Sequence, residues 1–443
     1  MVVAGASLVH AFVPPVGVSQ IPLVPACLSS HSCRPRRSSS SSSFKAHQTN
    51  DQEFPSDEQQ QSLSNMGRRS FLASAAIFSS SSLLVLPNAS NAAAIAAADT
   101  SRSSATTLSL PPMGLGAWAW GDSIFWGYNP KEDDDLHQVF NYALSQNLAF
   151  FDTAELYGLG RSETLIGNFR EEAGDEGDKV QVATKFAALP FRTKAQDVVK
   201  ACKSSLKRLN PNDSRSAARP IDLYQIHFPN AWANEEYWDG LAQCYEQGLV
   251  KSVGVSNYGV DAIRAVHGKL SERGIPLATN QIQLSLLYRF PIENGLIDTC
   301  NELGVKVLSY SPLALGFLTG KYDRKNIPTG PRQRIANTLF EGDAGASFDT
   351  MISVMKDISA NHGDAPLSQV ALNWTRAKGT IPIPGARNLR QAKQNFGALD
   401  WDLTKEEVHL LDGASSKVPA YITPDKSPFP KEDINSKLKM FDS

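Results

Sequence analysis

The chain has no strong excess of charge of either sign and contains few cysteines. Its 443 residues include 43 lysines and arginines against 45 aspartates and glutamates, a formal net charge of -2. A general electrostatic attraction to nucleic acid or to anionic membranes is therefore not expected. The five cysteines form no C-x-x-C pair and have no histidine at metal-ligand spacing near them, which disfavours a disulfide framework and a zinc site.

Two further sequence features are missing. No predicted strand is followed by G-x-G-x-x-G at a helix start, the motif that marks many dinucleotide-binding doubly wound sheets. The apolar stretch 71–86 is interrupted by Ser79–Ser82 and is shorter than the roughly 20 residues that a membrane-spanning helix needs. We therefore expect no stable membrane span.

Residues 1–98 have the composition of targeting sequences. Residues 1–50 contain no aspartate or glutamate but carry several arginines and the serine run Ser38–Ser43, as transit peptides do. Arg68 and Arg69 then precede an apolar stretch and the small residues 92–96, the order of a twin-arginine export signal. The combination resembles the bipartite presequence of plant thylakoid-lumen proteins, and a tail without any address is the alternative.

The predicted location is therefore the chloroplast, with residues 1–98 removed or disordered. The thylakoid lumen, or association with the thylakoid, follows from the twin-arginine pattern, and the stroma is the alternative. Sequence alone leaves this choice open because the cleavage pattern is permissive.

Eight short apolar or β-branched runs alternate with helical patterns after Leu110. The predicted strands are 113–117, 148–153, 180–185, 221–227, 251–256, 278–283, 305–310 and 380–384. Amphipathic spacing predicts helices at 133–146, 162–170, 193–209, 234–247, 260–273, 292–303, 348–362, 367–377 and 389–396. This alternation suits one (β/α)8 TIM barrel, which takes about 250 residues plus loops, and a doubly wound sheet is the alternative.

The barrel is expected to span residues 108–415 as a single catalytic domain. Residues 416–443, which contain four prolines, are expected to form a C-terminal tail. Residues 210–220 and 323–346 are predicted to be irregular loops, either functional or disordered.

Polar residues stand where three consecutive strands end. Asp152 closes the second strand and Tyr157 follows it, Lys185 ends the third strand, and His227 ends the fourth. Active residues of such barrels lie at the C-terminal strand ends, so all four are expected in one mouth. Each alone has an ordinary structural explanation as a surface charge, a helix cap or a packed group; their joint placement favours catalysis.

These side chains suit the reduction of a carbonyl group without a metal. Hydride transfer leaves negative charge on the carbonyl oxygen, which needs a proton donor and a stabilising field. Tyr157 can donate the proton; the Lys185 ammonium is expected to lower its pKa, while Asp152 holds the lysine. His227 can orient the substrate oxygen. It alone among the eight histidines lies at a predicted strand mouth, which disfavours a metal-dependent hydrolase.

The sequence around these residues resembles the aldo-keto reductase superfamily, including its plastid-targeted plant members. FDTAELYG, ATKF and YQIHFP carry the catalytic tetrad, and the other shared motifs are GLGAWAWGD, GRSETLIG, VGVSNY, TNQIQLSLL, SYSPLALGFLTGKY and PIPGARNLRQAKQN. The resemblance covers about residues 108–415. It implies NADPH-dependent reduction of an aldehyde or ketone, with Tyr157 as general acid.

The resemblance also implies which residues bind NADP(H). From nicotinamide to adenosine these are Ser256, Asn257, Gln281, Tyr310, Ser311, Leu313, Gly385, Arg387, Gln391 and Asn395. The first three correspond to the carboxamide, Tyr310 to the nicotinamide ring, 311–321 to the pyrophosphate and the last four to the adenosine end. A guanidinium at Arg387 suits the 2′-phosphate of NADP, whereas Gln394 departs from the glutamate of many relatives.

The substrate pocket is expected to be aromatic, lined by Trp118, Trp120 and Phe228 and further by Phe186 and Trp232. Packing at the rim explains Phe186 and Trp232 equally well. The sequence indicates a small-molecule carbonyl but not which one: pyridoxal, sugar-derived aldehydes, lipid-derived carbonyls and ketones of specialised metabolism all fit. The oligomeric state is not indicated.

A second function remains open at this point. Potassium-channel β subunits share this barrel and keep the cofactor while serving mainly as partners, so an NADP(H)-binding sensor is the alternative. The intact tetrad favours the enzyme. An NADPH-dependent reaction also favours the stroma, in tension with the twin-arginine pattern.

Overall fold

The structure, a computed structural model, describes residues 108–212, 219–230, 232–330 and 332–419. The predicted targeting segment 1–98 lies outside these ranges, as do residues 213–218 of the predicted loop 210–220 and residues 420–443 of the predicted tail.

Eight parallel strands form one sheet in chain order. They are β1 (Leu115–Gly116), β2 (Phe150–Asp152), β3 (Gln181–Phe186), β4 (Leu223–Ile226), β5 (Val253–Ser256), β6 (Leu277–Gln283), β7 (Lys306–Tyr310) and β8 (Ile381–Pro382). The backbone N–H groups of Gly114 and Gly116 donate to the carbonyl oxygens of Pro382 and Pro384, both at 3.0 Å. These bonds join the last strand to the first, so the fold is the predicted (β/α)8 barrel and the doubly wound alternative is wrong.

Helices connect and cover the strands. They are α1 (Asp133–Ser145), α2 (Arg161–Glu172), α3 (Ala195–Leu209), α4 (Asn234–Glu246), α5 (Val260–Ser271), α6 (Phe290–Glu293), α7 (Leu296–Glu302), α8 (Arg332–Phe340), α9 (Gly342–Asn361), α10 (Leu367–Ala377), α11 (Leu389–Phe396) and α12 (Lys405–Ser416). Short 3-10 helices cover Pro130–Glu132, Tyr157–Gly160, Gly174–Lys179, Ala314–Thr319 and Gly397–Leu399. None of the helices in the described ranges is both long and apolar enough to cross a membrane.

Alternate residues along the strands belong to two different hydrophobic clusters. A small cluster made mainly of strand residues includes Phe150 and Ala183, while their neighbours Phe151 and Val182 belong to the large cluster shared with the helices. Side chains alternate between the two faces of a strand. Asp152 and Lys185 lie two residues after Phe150 and Ala183, so they face the barrel interior nearer its C-terminal mouth.

The prediction that residues 323–346 form an irregular loop is partly wrong. It contains α8 and the first residues of α9, and Ala336, Leu339 and Phe340 of α8 are buried with the core. Pro328 and Gly330 precede α8, which itself contains no proline or glycine, and its apolar residues recur at helical spacing.

Two other boundaries differ from the predicted ones. The helix expected at 292–303 is divided into α6 and α7 at Gly295, which has φ 75°. Helix α12 was not predicted; Thr404 and Glu407 form a capping box at its start, a short-range signal that the sequence does contain.

Substitutions at two helical glycines would test how closely the helices pack around the barrel. A Cβ on Gly167 of α2 would lie 2.3 Å from the carbonyl oxygen of Arg208, whereas one on Gly268 of α5 would meet nothing within 4 Å. Gly167→Ala is expected to lower the free energy of unfolding by about 1–3 kcal/mol through overpacking. Gly268→Ala is expected to raise it by roughly 0.5–1 kcal/mol through helix propensity. Equilibrium urea unfolding measures both, and a stabilising Gly167→Ala would contradict the packing described here.

Candidate active site

The four predicted catalytic residues come together at the C-terminal mouth of the barrel. Asp152 is the last residue of β2, Lys185 is in β3, and His227 follows β4 directly. Tyr157 begins the 3-10 helix after β2. Parallel strands place these ends at one edge of the sheet, as the sequence predicts.

A buried ion pair forms the centre of the site. Lys185 Nζ lies 2.6 Å from Asp152 Oδ2 and 2.8 Å from the carbonyl oxygen of Thr153, and it is 3.4 Å from the hydroxyl oxygen of Tyr157. The amide of Gln281 donates to the other carboxylate oxygen, Asp152 Oδ1, at 2.7 Å. The side chains of Lys185 and Asp152 are 0% and 3% exposed. Each partner therefore replaces hydration that the other has lost.

The pKa of Tyr157 shifts in the opposite direction to the one expected from sequence. Burial, and next the negative charge of Asp152, raise the pKa of Tyr157 well above its usual value. The nearby Lys185 does not reverse this, because its ammonium is already paired with Asp152. The phenol therefore stays protonated at neutral pH, which is the state that a proton donor needs.

The loop that carries Tyr157 is held by close backbone packing. Gly158 has φ 56°, and a Cβ at that position would lie 2.5 Å from the carbonyl oxygen of Gly121. Only glycine combines this left-handed conformation with such an approach. The β1 loop thus packs directly against the tyrosine loop.

His227 is neutral in this site. Burial, and secondly the charge of Lys185, lower the pKa of His227 well below its usual value. Its ring lies 5.7 Å from the Tyr157 ring, centroid to centroid, and stacks on Phe228 at 4.2 Å. A neutral imidazole carries one N–H donor, so it can hydrogen-bond a carbonyl oxygen beside the tyrosine hydroxyl.

The residues expected at the nicotinamide are neighbours in the structure. Ser256 Oγ donates to the carbonyl oxygen of Gln281 at 2.8 Å, and the Asn257 amide donates to Ser256 Oγ at 3.1 Å. The Tyr310 hydroxyl donates to Asn257 Oδ1 at 2.9 Å. Asn257 has φ 64°, a left-handed conformation that is uncommon outside glycine and concentrates at binding sites.

The segment expected at the pyrophosphate has an unusual backbone. Ser311, Ala314 and Leu315 have φ values of 52°, 47° and 58°, and Leu313 caps the 3-10 helix Ala314–Thr319. Such non-glycine outliers persist only where the surroundings enforce them. This strain supports a functional role for the loop after β7.

The residues expected at the adenosine end also lie together. The Asn395 amide donates to the carbonyl oxygen of Gly385 at 3.2 Å, and the backbone N–H of Arg387 donates to Gln391 Oε1 at 2.8 Å. The guanidinium of Arg387 is engaged by a carboxylate that sequence reasoning did not identify, Glu132, with Nη2 2.6 Å from its Oε2.

The three predicted pocket residues do not all reach the mouth. The ring of Trp118 lies 6.4 Å from that of Tyr157, and Phe228 stacks on His227. Trp120 instead is 1% exposed and packs on Phe151 and Phe169, in the layer between the strands and the helices. The structure therefore does not bring Trp120 to the pocket.

The two further aromatic candidates differ from each other. Phe186 is fully buried, with its ring 5.1 Å from that of Tyr237 and an Arg192 guanidinium 5.1 Å from its centre. Trp232 is 79% exposed. Phe186 is thus packed inside the protein, whereas the side chain of Trp232 is exposed on the loop after β4.

Sequence reasoning missed two rings beside Trp118. Phe125 stacks on Trp118 at 4.9 Å, and Trp126 meets it edge-on at 5.4 Å. Together Trp118, Phe125 and Trp126 form an aromatic cluster next to Tyr157. Aromatic residues recur along the β1 loop in the sequence, and this enrichment was the available signal.

A charged clamp near the site was also missed. Glu155 Oε1 accepts from the backbone N–H of Ala187 at 2.6 Å and from Arg192 Nη1 at 2.5 Å. Glu155 lies in the loop between Asp152 and Tyr157, so this clamp ties the tyrosine loop to the loop after β3. Sequence gives no signal for it, because the two residues are 37 positions apart.

Four exposed apolar side chains lie on the loops at the mouth of the barrel. Ile124, Leu159, Phe191 and Trp232 are 64%, 85%, 78% and 79% exposed, and they lie on the loops after β1, β2, β3 and β4. Large hydrophobic side chains gathered on one face commonly mark a binding site.

Comparisons with known proteins match the barrel. The sequence profile of the Aldo/keto reductase family matches residues 112–416. The chain is 41% identical over 327 residues to the chloroplastic pyridoxal reductase of Arabidopsis thaliana, covering 70% of this chain and 85% of the relative. It is 33% identical over 307 residues to an uncharacterized oxidoreductase of Mycobacterium bovis, covering 68% and 88%. The solved glycerol dehydrogenase of Gluconobacter oxydans has a TM-score of 0.60 and 25% identity, covering 72% of this chain and 98% of its own.

The neutral His227 predicts a pH dependence of stability. In the unfolded chain a histidine binds its proton near pH 6.5, whereas the folded site lowers the pKa of His227. As the pH falls through about 6.5, the unfolded state therefore binds more protons than the folded state. The free energy of unfolding decreases there by up to about 1.4 kcal/mol per pH unit. Urea unfolding is measured at about pH 7.5 and about pH 5.5. The free energy of unfolding is expected to decrease less between these two pH values in His227→Asn than in the wild type. Equal losses would argue against a neutral buried imidazole.

Proposed function

Since this chain belongs to the aldo/keto reductase family of NADP-dependent oxidoreductases, we propose that it reduces an aldehyde or ketone to the alcohol by hydride transfer from NADPH. The proton donor in this proposal is Tyr157. The observation that carries it is the position of a protonated phenol between a neutral imidazole and a buried ammonium.

Each polar group has a separate task in this reaction. His227 donates a hydrogen bond to the carbonyl oxygen and orients it toward the tyrosine. As negative charge develops on that oxygen, Tyr157 transfers its proton to it. The phenolate left behind lies 3.4 Å from Lys185 Nζ, whose ammonium stabilises the new charge. Asp152 holds the lysine in place throughout.

The donor set fits NADPH. A carboxamide needs neighbouring hydrogen-bond donors and acceptors, which Ser256, Asn257 and Gln281 supply, and a flat ring fits against the partly exposed Tyr310. When bound there, NADPH supplies the hydride for the carbonyl carbon. At the other end Arg387 provides a planar guanidinium suited to the 2′-phosphate.

The substrate that we propose is an aromatic aldehyde, with pyridoxal as the first compound to test. The aromatic cluster of Trp118, Phe125 and Trp126 lies beside Tyr157, and flat rings pack well against such side chains. The relative from Arabidopsis thaliana, at 41% identity, is named as a pyridoxal reductase.

Replacement of the tyrosine hydroxyl tests the mechanism. Tyr157→Phe keeps the ring but removes the proton donor, so pyridoxal reduction by the purified full-length chain is expected to fall by about 10²–10⁴-fold while NADPH binding is retained. NADPH oxidation is followed by absorbance, and binding by fluorescence. Tyr224→Phe is the matched control, because Tyr224 is buried in the large cluster shared with the helices.

Two results would contradict the proposed function. An unchanged rate in Tyr157→Phe would remove the tyrosine from the reaction. Tight NADPH binding by the wild type without turnover of any aldehyde or ketone in a broad panel would favour the sensor function instead.

We also propose that the protein works in the plastid. The acid-free, serine-rich composition of residues 1–50 and the chloroplastic relative support this location. A reaction that consumes NADPH favours the stroma, while the arginine pair Arg68 and Arg69 favours export to the thylakoid lumen.

The mature N-terminus distinguishes the two compartments. Protein isolated from fractionated plastids is expected to begin near residues 50–65 if it works in the stroma, because only the transit peptide is then removed. A start near residues 92–99 would place it in the lumen. N-terminal sequencing makes the measurement, and a start at Met1 would contradict plastid import with cleavage.

A further inference from the structure

The guanidinium of Arg387 forms an ion pair with the carboxylate of Glu132. Arg387 Nη2 lies 2.7 Å and 2.6 Å from the two carboxylate oxygens of Glu132, and Nε lies 3.2 Å from Oε2. Nη1 donates to the carbonyl oxygen of Trp126 at 2.9 Å. Glu132 thus occupies the edge of the guanidinium that binds oxyanions in pairs.

We propose that Glu132 is a specificity-determining residue that competes with the 2′-phosphate of the cofactor for Arg387. This inference rests on the proposed function, in which Arg387 binds that phosphate. Occupation of Arg387 by Glu132 weakens the preference for NADPH over NADH, and each binding of the phosphorylated cofactor displaces the carboxylate.

The exposure of the pair allows such an exchange. The side chains of Arg387 and Glu132 are 30% and 26% exposed, whereas those of Lys185 and Asp152 are 0% and 3% exposed. Water can solvate the carboxylate of Glu132 as soon as it leaves the guanidinium, so the cost of separation is small. The buried pair has no such alternative partner.

The backbone around Arg387 is fixed while its side chain reaches across to another loop. The N–H of Arg387 donates to Gln391 Oε1, and Asn388 caps α11 by accepting from the backbone N–H of Gln391. Glu132 ends the 3-10 helix Pro130–Glu132, which Asn129 caps. Both backbones are therefore anchored, and a change of partner needs only side-chain rotation.

The neighbouring carboxylate does not share this role. Asp133 binds the guanidinium of Arg161 at 2.5 Å and accepts from the hydroxyl of Tyr128 at 2.5 Å. Glu132 is thus the carboxylate that neutralises Arg387. Removal of its charge leaves a full positive charge for an incoming phosphate.

The test compares an adenosine ligand that carries the 2′-phosphate with one that lacks it. Binding of 2′,5′-ADP and of 5′-ADP to the full-length chain is measured by isothermal titration calorimetry. Glu132→Gln keeps the shape but removes the charge, so the affinity for 2′,5′-ADP is expected to rise about five-fold while that for 5′-ADP stays unchanged. Glu132→Ala is expected to give the same selective gain.

A matched control comes from another arginine–glutamate pair. Glu302 binds Arg264 through both carboxylate oxygens, at 3.1 Å and 2.6 Å, between α7 and α5. Glu302→Gln changes the net charge equally but leaves Arg387 paired, so neither affinity is expected to change.

Two results overturn the inference in distinguishable ways. Unchanged or weaker binding of 2′,5′-ADP in both Glu132 variants would show that the carboxylate only supports Arg387. The proposed function is judged separately by Arg387→Ala, which is expected to weaken 2′,5′-ADP more than 5′-ADP. Equal loss for both ligands would remove Arg387 from phosphate binding and overturn the cofactor assignment together with the inference.

Discussion

The buried pair of Lys185 and Asp152 is the interaction on which the catalytic arrangement depends. An ammonium and a carboxylate without solvent are tolerated only when each is satisfied by the other and by further polar atoms. The carbonyl oxygen of Thr153 and the amide of Gln281 complete that set. Because these partners come from β2, β3 and β6, the closed barrel is itself the condition for the charge at the centre of its mouth.

This constraint explains why the neighbouring groups stay neutral. The field of the pair is that of a dipole, not of a free cation, so burial dominates the pKa of both Tyr157 and His227. A neutral phenol and a neutral imidazole cost less to bury than the corresponding ions, which is why this buried site favours those states. In the proposed mechanism the ammonium of Lys185 stabilises the negative charge that appears on the Tyr157 oxygen, an attraction that the neutral phenol does not offer.

The sequence was sufficient for the barrel and for bringing the four residues to its mouth, because they stand at or just after the ends of three consecutive strands and parallel strands of a barrel end at one edge. It was not sufficient where the outcome depends on contacts across the chain. The direction of the Tyr157 pKa depends on its burial and on Asp152. Trp118 and Trp120 differ in exposure although they lie two positions apart, because the β1 loop after Gly116 no longer follows strand alternation. Helix α8 is short, and its apolar residues are buried only by packing against the rest of the barrel.

The loop after β1 links the two ends of the site. Its residue Trp118 packs beside Tyr157 and stacks on Phe125. The carbonyl oxygen of Trp126 accepts a hydrogen bond from Arg387, which we propose at the adenosine end of the cofactor. A single guanidinium therefore contacts both Trp126 of this loop and Glu132. In the proposed exchange a phosphate would replace Glu132 at Nη2 and Nε. Nη1 would keep its hydrogen bond to the carbonyl oxygen of Trp126, so the loop stays attached to Arg387. The Lys185–Asp152 pair is excluded from solvent, whereas the Arg387–Glu132 pair is partly exposed. This difference in exposure is why we propose a fixed partner for Lys185 and an exchangeable one for Arg387.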